Sequence, residues 1–228
     1  MNDQNKICTA ELVKVSKVFS RSGNETIAVN NVSFRVCAGE LVLLLGPSGS
    51  GKTTLLTLLA GLQEPTNGSV FIFGKKVQDY SSAELQRLRA NKMGFIFQTF
   101  CLLENLNVLE NVTLVMKFAG IREKSARSHA VKCLERFGVG HLWNEFPGKL
   151  SQGEKQRVAV ARAIANGARL VLADEPTGSL ATEQGMAIIE FLHDSVTNDG
   201  LSVVIASHDE RIANYASRVY RLRDGFLL

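Results

Sequence analysis

The sequence predicts an α/β fold in which helices cover a mostly parallel β-sheet. Strand and helix patterns alternate late in the chain, at Arg169–Ala173, Thr182–Thr197, Ser202–Ser207 and Asp209–Ala216. Such alternation is typical of parallel strands, because each connection between them must cross the sheet and usually contains a helix. The stretch from about 100 to 167 has helical patterns throughout, so we expect a helical insertion there.

The first part of the chain is rich in strand patterns. Three stretches, Glu11–Phe19, Val29–Val36 and Ser69–Phe73, are separated by turn residues such as Gly23. The length of 228 residues and the hydrophobic content of 45% are enough for one substantial core. We therefore expect residues 1–228 to form a single domain.

Composition argues against two kinds of site. The formal net charge is +4, and no cluster of basic residues stands out, so we expect no nucleic-acid partner. The cysteines are far apart and form no CxxC pair, which fits neither a zinc site nor a disulfide framework. We expect reduced thiols at Cys8, Cys37, Cys101 and Cys133.

No segment has the pattern of a membrane anchor. The most apolar stretches, Leu41–Leu45 and Leu55–Leu62, are far shorter than the roughly 20 residues that span a bilayer. The opening Met1–Lys6 is polar and lacks the apolar stretch of a signal peptide. We expect a cytoplasmic protein that reaches a membrane only through a partner.

A glycine-rich loop lies between a predicted apolar strand, Glu40–Leu45, and a predicted helix, Thr53–Leu62. Its sequence fits GxxxxGK[ST], in which the glycines let backbone N–H groups converge on phosphate oxygens. Lys52 adds positive charge to the same oxygens, the Thr53 hydroxyl is placed for Mg²⁺, and the helix N-terminus adds a partial positive charge. We expect nucleotide contacts from Gly46, Pro47, Ser48, Gly49, Ser50, Gly51, Lys52, Thr53 and Thr54.

Polar residues follow several predicted strands at the point where each ends. Gly46, Gln98, Asp174 and His208 all lie at such positions, and ligands of open parallel sheets bind along this edge. Asp174 is placed to hold the water shell of Mg²⁺, and Glu175, one residue further, to polarise an attacking water. An acidic pair or a lone histidine is usually structural, so the prediction rests on the four positions together.

A capping box, Ser151-x-x-Glu154, opens a predicted helix that ends near Asn166. Any helix could use it, yet the adjacent Gly153 also leaves exposed N–H groups that suit an anion. The stretch Leu150–Gln156, here named the signature, resembles the signature motif of the ABC ATPases. The glycine-rich loop precedes the signature in the chain, and the acidic pair Asp174-Glu175 follows it, which is the order found in that family. The resemblance therefore covers essentially the whole chain.

The resemblance implies a phosphate-loop NTPase fold with an N-terminal antiparallel β-subdomain and a helical subdomain inserted at about 100–167. It also implies an ATPase that uses ATP with Mg²⁺ and forms an ATP-dependent homodimer. Such subunits lie on the cytoplasmic face of the plasma membrane and work with integral-membrane permease subunits.

The resemblance assigns roles to single residues. In the chain that holds ATP, Thr53, Gln98 and Asp174 would reach Mg²⁺, and His208 the γ-phosphate. Phe19 matches the aromatic position that stacks on adenine; the alternative is a core residue of a strand. The signature would close over the ATP of the opposite subunit with Ser151, Gln152, Gly153 and Glu154.

The sequence departs from the family pattern at two positions. Gln152 stands where the family prefers glycine, and Ala181 stands where it has an aspartate that helps couple the two ATP sites. The stretches Phe95–Gln98, Leu106–Val112 and Ala173–Gly178 are similar to the lipoprotein-releasing and macrolide-exporting branch.

Three functions are compatible with these residues. Intact Glu175 and His208 favour an ATPase that powers an exporter-type permease. The loss of aspartate at Ala181 leaves room for a nucleotide-gated structural clamp with low turnover, as in cell-division relatives. A nucleic-acid-associated ABC protein is disfavoured by the ordinary charge and by the short helical insertion.

Overall fold

The computed structural model describes residues 8–21, 24–178 and 180–228, which form two β-sheets with covering helices. Met1–Lys6 and the predicted turn residue Gly23 lie outside the described residues. The strands are β1 (Cys8–Arg21), β2 (Asn24–Cys37), β3 (Leu41–Leu45), β4 (Asn67–Ile72), β5 (Lys75–Lys76), β6 (Met93–Ile96), β7 (Leu170–Asp174), β8 (Ser202–Ser207), β9 (Arg218–Arg223) and β10 (Phe226–Leu227). The helices are α1 (Lys52–Leu59), α2 (Ser82–Lys92), α3 (Val108–Phe118), α4 (Glu123–Arg136), α5 (Gln152–Ala165) and α6 (Thr182–Asp199).

The first sheet is antiparallel and is built from the N-terminal strands. Its order is β2-β1-β4-β5, and β1 pairs antiparallel with both β2 and β4. Side chains on its inner face, among them Leu12, Val15 and Val29, are buried in one cluster with apolar residues of α1. The predicted N-terminal antiparallel β-subdomain is confirmed.

The second sheet has the order β10-β9-β3-β8-β7-β6 and is parallel from β9 to β6, with β10 antiparallel at one edge. Every residue of β3 is buried. Leu41, Leu43 and Leu45 face one apolar cluster, and Val42 and Leu44 face the other. A strand covered on both faces needs a continuous apolar run, which explains its sequence. The predicted mostly parallel sheet is confirmed.

Helices α3, α4 and α5 lie between β6 and β7, inside the predicted insertion. The expectation of helix from residue 100 onward was too broad, because residues 100–107 are irregular. The buried Asn111 explains this: its Nδ2 donates to the carbonyl oxygens of Leu103, Leu106 and Asn107 at 3.0–3.1 Å. These bonds satisfy backbone groups that a helix would otherwise pair.

The predicted helix at Asp209–Ala216 is a 3₁₀ helix at Glu210–Tyr215. The Asp209 carboxylate accepts from the backbone N–H of Arg211 at 3.0 Å and from its Nε at 2.9 Å. The hydrogen bond from Ile212 N to Asp209 O has the three-residue spacing of a 3₁₀ turn. At six residues the segment is longer than most 3₁₀ helices, which rarely extend beyond about four residues.

Helix α5 crosses β6 at unusually short range. A Cβ added to Gly94 would lie 1.9 Å from the carbonyl oxygen of Ala163. Near the end of α5, the Asn166 amide donates to the carbonyl oxygens of Ala90 at 2.7 Å and Met93 at 2.9 Å. The helical insertion is therefore attached directly to the edge of the parallel sheet.

We expect Gly94→Ala to lower the free energy of unfolding by about 1–3 kcal/mol, because the added methyl group would overlap a backbone carbonyl. Gly148→Ala is a matched control, since a Cβ there would lie 3.8 Å from Glu104 Oε2, an ordinary contact distance. Urea unfolding of the two variants measures the difference. Wild-type stability in Gly94→Ala would contradict the close crossing of β6 and α5.

Candidate functional site

The phosphate loop, residues 46–53, joins the end of β3 to α1 at the carboxyl edge of the parallel sheet. The backbone N–H of Gly46 donates to the carbonyl oxygen of Ser207 at 3.1 Å. Gly51 has a left-handed φ of 102°, and a Cβ there would lie 2.2 Å from the carbonyl oxygen of Ala28. The loop thus lies directly on β2, and the position of Gly51 accepts only glycine.

Lys52 lies inside the curve of this loop and is only 5% exposed. Its Nζ donates to the carbonyl oxygens of Gly46 at 2.7 Å and Pro47 at 2.9 Å. The same nitrogen lies 3.6 Å from Oε1 of Glu175. The ammonium is therefore positioned both at the backbone that would bind phosphates and at the acidic end of β7.

Thr53 and Asp174 form a set of oxygen atoms that fits a magnesium ion. Thr53 Oγ1 donates to Asp174 Oδ2 at 2.8 Å. Burial raises the pKa of the Asp174 carboxyl, and the Thr53 hydrogen bond opposes that change. The Gln98 amide is nearby, since a Cβ added to Gly178 would lie 3.8 Å from Gln98 Nε2. Hydroxyl, carboxylate and amide oxygens are the hard ligands that Mg²⁺ prefers.

Within the described part of the chain, no group of three or more His, Cys, Asp or Glu side chains could hold a metal ion by itself.

Glu175 is held by hydrogen bonds on both its backbone and its side chain. It has a left-handed φ of 45°, and its N–H donates to the carbonyl oxygen of Ala206 at 2.8 Å. Its Oε2 accepts from Ser207 Oγ at 3.1 Å and lies 3.0 Å from His208 Nδ1. The carboxylate is therefore oriented before any substrate arrives. One edge of the sheet brings together the predicted residues Lys52, Thr53, Gln98, Asp174, Glu175 and His208.

The signature forms the N-terminus of α5. Glu154 Oε2 accepts from the Ser151 N–H at 2.8 Å, and the hydrogen bonds from Ser151 lower the pKa of Glu154. Gln152 is exposed, whereas Gly153 packs against α6, where a Cβ would lie 2.8 Å from Gln184 Oε1. Among described residues, no hydrogen bond or ion pair joins the signature to the phosphate loop of the same chain. That separation is compatible with action on a nucleotide held by a second subunit.

Sequence analysis missed two residues that support the site. Gln156, which is 1% exposed, donates from Nε2 to the carbonyl oxygen of Pro176 at 2.7 Å and so ties α5 to the loop after Glu175. Ser207 supplies a hydroxyl to the Glu175 carboxylate. The available signals were weak: Gln156 stands between the charged residues Lys155 and Arg157, and Ser207 is the last residue before His208.

Phe19 is 41% exposed, so the alternative of a core residue is wrong. It lies on β1 opposite Thr26 of β2, and Lys17 Nζ lies 5.3 Å from the centre of its ring. The phosphate loop touches the same β2 strand two residues further on, at Ala28, through Gly51. The ring therefore lies on the surface close to the loop, where it can stack on a flat group.

The position that departs from the family pattern, Ala181, is the N-cap of α6. It has an extended conformation, and no side-chain hydrogen bond caps the helix. The first turn of α6 contacts the signature, because Gln184 packs against Gly153. The same turn contacts the loop after β7, where a Cβ added to Gly185 would lie 3.1 Å from Thr177 Cβ. The missing aspartate would therefore have capped a helix that lies between two parts of the site.

The fold and this edge define a phosphate-loop nucleotide-binding protein: a glycine-rich loop after a buried parallel strand, with a carboxylate pair two strands away. The profile of the ABC transporter family matches residues 29–178, and the chain belongs to that family. It is the ATP-binding cassette of an ABC transporter.

Relatives agree with this assignment. The chain is 40% identical to an ABC transporter ATP-binding protein of Methanocaldococcus jannaschii, with 94% of this chain and 96% of the relative covered. It is 38% identical to the macrolide export ATP-binding/permease protein MacB of Burkholderia pseudomallei, over 94% of this chain but 33% of that relative. The chain thus spans about a third of the MacB proteins.

Solved structures with the same fold agree as well. The dimeric structure of a bacterial ABC transporter cassette superposes with a TM-score of 0.90 at 37% identity and covers 96% of each chain. A second dimeric structure of that cassette, in a post-hydrolysis state bound to ADP and Pi, has a TM-score of 0.89 at 36% identity.

We expect Ala181→Asp and Ala181→Ser to raise the free energy of unfolding by about 0.5–2 kcal/mol, because either side chain can accept a hydrogen bond from the first turn of α6. Ala181→Val is the control, since it adds volume without an acceptor. Urea unfolding of the three variants tests this. A gain in the valine variant, or none in the other two, would show that the helix start is not limited by its cap.

Proposed function

We propose that this cassette hydrolyses ATP to power a membrane permease of exporter or mechanotransmission type. The observation that carries the proposal is the Glu175 carboxylate, which is fixed by Ser207 and His208 and lies next to Lys52 of the phosphate loop. A general base is effective only when it is held within reach of the proton that it takes. A protein that merely bound nucleotide would gain nothing from such an arrangement.

The residues of this edge divide the chemistry among them. The phosphate loop, Lys52 and the N-terminus of α1 would bind the ATP phosphates with N–H groups and positive charge. Thr53, Gln98 and Asp174 would hold Mg²⁺, which neutralises charge on the β- and γ-phosphate oxygens when it is bound. Phe19 is placed to stack on the adenine ring.

Glu175 orients the attacking water and accepts its proton. His208 is 67% exposed on its side chain, and its Nδ1 is engaged by Glu175. Its Nε2 is therefore left to contact an oxygen of the γ-phosphate. In this way one imidazole holds the base and contacts the group that is transferred.

We propose that two copies of the chain enclose the nucleotides between them. The N–H groups at the start of α5, around Ser151 and Gly153, would bind the γ-phosphate held by the other copy. Gln152 and Glu154 complete this surface. The proposal is supported by the dimeric structures of the similar bacterial cassette, one of which is described as bound to ADP and Pi.

A groove of about 750 Å³ between α2, β6, α3 and α5 is the proposed docking site of the permease. Its lining includes Phe97, Leu103 and Phe118, which are 39%, 45% and 70% exposed, and the basic side chain of Arg87. Large exposed apolar side chains in one concave surface indicate a protein partner. A short amphipathic helix with an apolar face and acidic flanks would fit this groove.

The relatives support a permease partner and an export role. The MacB proteins are named as macrolide export ATP-binding/permease proteins. The Methanocaldococcus and Thermotoga relatives, of which this chain covers 96% and 92% of the length, are named as ABC transporter ATP-binding proteins. We propose that residues 1–228 act as a single cassette domain with a separate permease, at the cytoplasmic face of the plasma membrane. None of the described helices is long and apolar enough to cross a bilayer.

A nucleotide-gated clamp of low turnover is the second candidate. Ala181 favours the clamp, because α6 starts without the carboxylate that the family places between the signature and the loop after β7. A clamp would bind ATP and dimerise but would release phosphate slowly. The two candidates differ in what the Glu175 carboxylate does for the wild-type protein.

We expect Glu175→Gln to slow phosphate release by roughly 10²-fold or more, because the amide keeps the shape of the side chain but cannot accept the proton of the water. ATP should still bind, so the variant should accumulate as an ATP-bound dimer while the wild type returns to monomer. Size-exclusion chromatography with Mg-ATP, run beside a phosphate-release assay, measures both effects.

Glu64→Gln, which neutralises an exposed carboxylate after α1, is the matched control and should behave as the wild type. A slow wild type that is already dimeric, and that the Glu175→Gln change hardly alters, would favour the clamp. If neither protein dimerises with ATP at any concentration tried, the two-subunit arrangement is wrong for the isolated cassette.

We expect Phe118→Ser to reduce capture of the permease from gently solubilised membranes by about tenfold, since large aromatic side chains dominate binding energy at protein interfaces. Phe226→Ser is the control, because Phe226 is 49% exposed but lies outside the groove, on β10. Quantitative mass spectrometry of the co-purified proteins gives the ratio. Equal losses in both variants would argue against the groove as the docking site.

Thiol labelling gives a second test of the same surface. Cys101 is exposed and lines the groove, whereas burial raises the pKa of the thiols of Cys8, Cys37 and Cys133. A maleimide should therefore label Cys101 first at neutral pH, because only the thiolate reacts. Labelling of Cys101 should slow when the permease is bound, and unchanged labelling in the complex would contradict docking there.

A further inference from the structure

We infer that Arg162 is a positioning residue, which fixes the backbone beyond Gln98 and joins it to the helix that carries the signature. Its Nη2 donates to the carbonyl oxygen of Phe100 at 2.7 Å, and its Nη1 donates to that of Cys101. The inference rests on the proposed role of Gln98 at the metal. It adds a residue to which neither the sequence motifs nor the resemblance gave a role.

The backbone that Arg162 holds is strained. Phe100 and Cys101 have φ values of 61° and 49°, so two consecutive residues other than glycine are left-handed. Residues with a Cβ rarely adopt this conformation, and they keep it only where surrounding contacts impose it. The two carbonyl oxygens that accept from the guanidinium belong to these two residues. Their N–H groups donate to the carbonyl oxygens of Phe97 at 3.1 Å and Thr99 at 2.6 Å, so Arg162 and the local turn together hold this conformation.

The chemistry of the contact suits arginine in particular. The guanidinium is planar, and its two terminal nitrogens can donate to two neighbouring carbonyls at once. Arg162 is partly buried, and this burial lowers its pKa. Its hydrogen bonds to the two carbonyls offset the lost hydration, so the loop and the side chain hold one another in place.

The location of Arg162 connects three parts of the cassette. It lies in the last turn of α5, and the signature begins the same helix at Ser151. Only Thr99 separates Gln98 from the first carbonyl that Arg162 holds. Arg162 also lines the groove proposed for the permease, together with Cys101. A displacement of α5 would therefore carry the backbone next to Gln98 with it.

The test compares Arg162→Met and Arg162→Lys in the full chain with Mg-ATP. We expect Arg162→Met to lower kcat by about tenfold with KM for ATP changed less than about twofold, because the phosphate loop is untouched. The concentration of Mg²⁺ that gives half-maximal activity should rise. Arg162→Lys keeps the charge but cannot hold both carbonyls, so its kcat should lie between those of the wild type and Arg162→Met.

A double-mutant cycle with Gln98→Ala tests whether Arg162 acts through Gln98. In the Gln98→Ala background, Arg162→Met should lower kcat by less than about twofold. Losses of kcat that multiply independently would overturn the inference. If Gln98→Ala alone changes neither kcat nor the Mg²⁺ dependence, the proposed metal role of Gln98 fails, and a loss in Arg162→Met then has another cause.

Arg136→Met separates positioning from stability. Arg136 donates to Asp199 at 2.8 Å and to Ser195 at 3.0 Å, so it also ties the helical insertion to the rest of the fold, but away from Gln98. The Arg136→Met substitution should lower the thermal midpoint of unfolding, while kcat and the Mg²⁺ dependence stay at wild-type values. Equal kinetic losses in both variants would mean that Arg162 acts only on stability. Where Arg162→Met does not fold, Arg162→Lys carries the same comparison.

Discussion

The parallel pairing of β3 with β8, and of β8 with β7, sets the positions of the phosphate loop, the Asp174-Glu175 pair and His208 relative to one another. Leu45 at the end of β3 pairs with Ser207, and Ala206 pairs with Asp174. These registers bring Lys52 to 3.6 Å from Glu175. A slip of one residue would turn each β3 side chain toward the other apolar cluster and would move Lys52 away from Glu175. Packing of the core and assembly of the site therefore depend on the same register.

The edge of the sheet could be predicted because it depends on local patterns and one general rule. Strand ends can be located from apolar runs, and parallel strands bring their carboxyl ends to one edge, which places Gly46, Asp174 and His208 together. The contacts of Gln156 and Ser207 could not be predicted. They depend on which face of α5 meets the loop after β7, and tertiary packing decides that. The role of Asn111 in residues 100–107 was hidden for the same reason.

Strained backbone was the other feature that the sequence did not reveal. Glu175 and Phe100 have side chains that give no sign of a left-handed conformation, yet both adopt it. Each such residue costs on the order of 1–3 kcal/mol and persists only because neighbouring contacts impose it. For Glu175 these contacts include the hydrogen bond to Ala206, and for Phe100 they include the guanidinium of Arg162 and the carbonyl of Phe97. Glu175 lies at the edge where ATP is proposed to bind, and Phe100 lies two residues after Gln98.

Helix α5 is attached at three points along its length to the sheet and to loops that follow its strands, and these attachments bear on how the cassette would transmit force. Gln156 binds the carbonyl of Pro176 near the start, Arg162 binds that of Phe100 near the end, and Asn166 binds β6 just beyond it. The signature, the loop after Glu175 and the backbone that lines the groove are therefore all in contact with one helix. A permease that pushes on the groove would shift the signature across the opposite subunit without first loosening the groups that perform the chemistry.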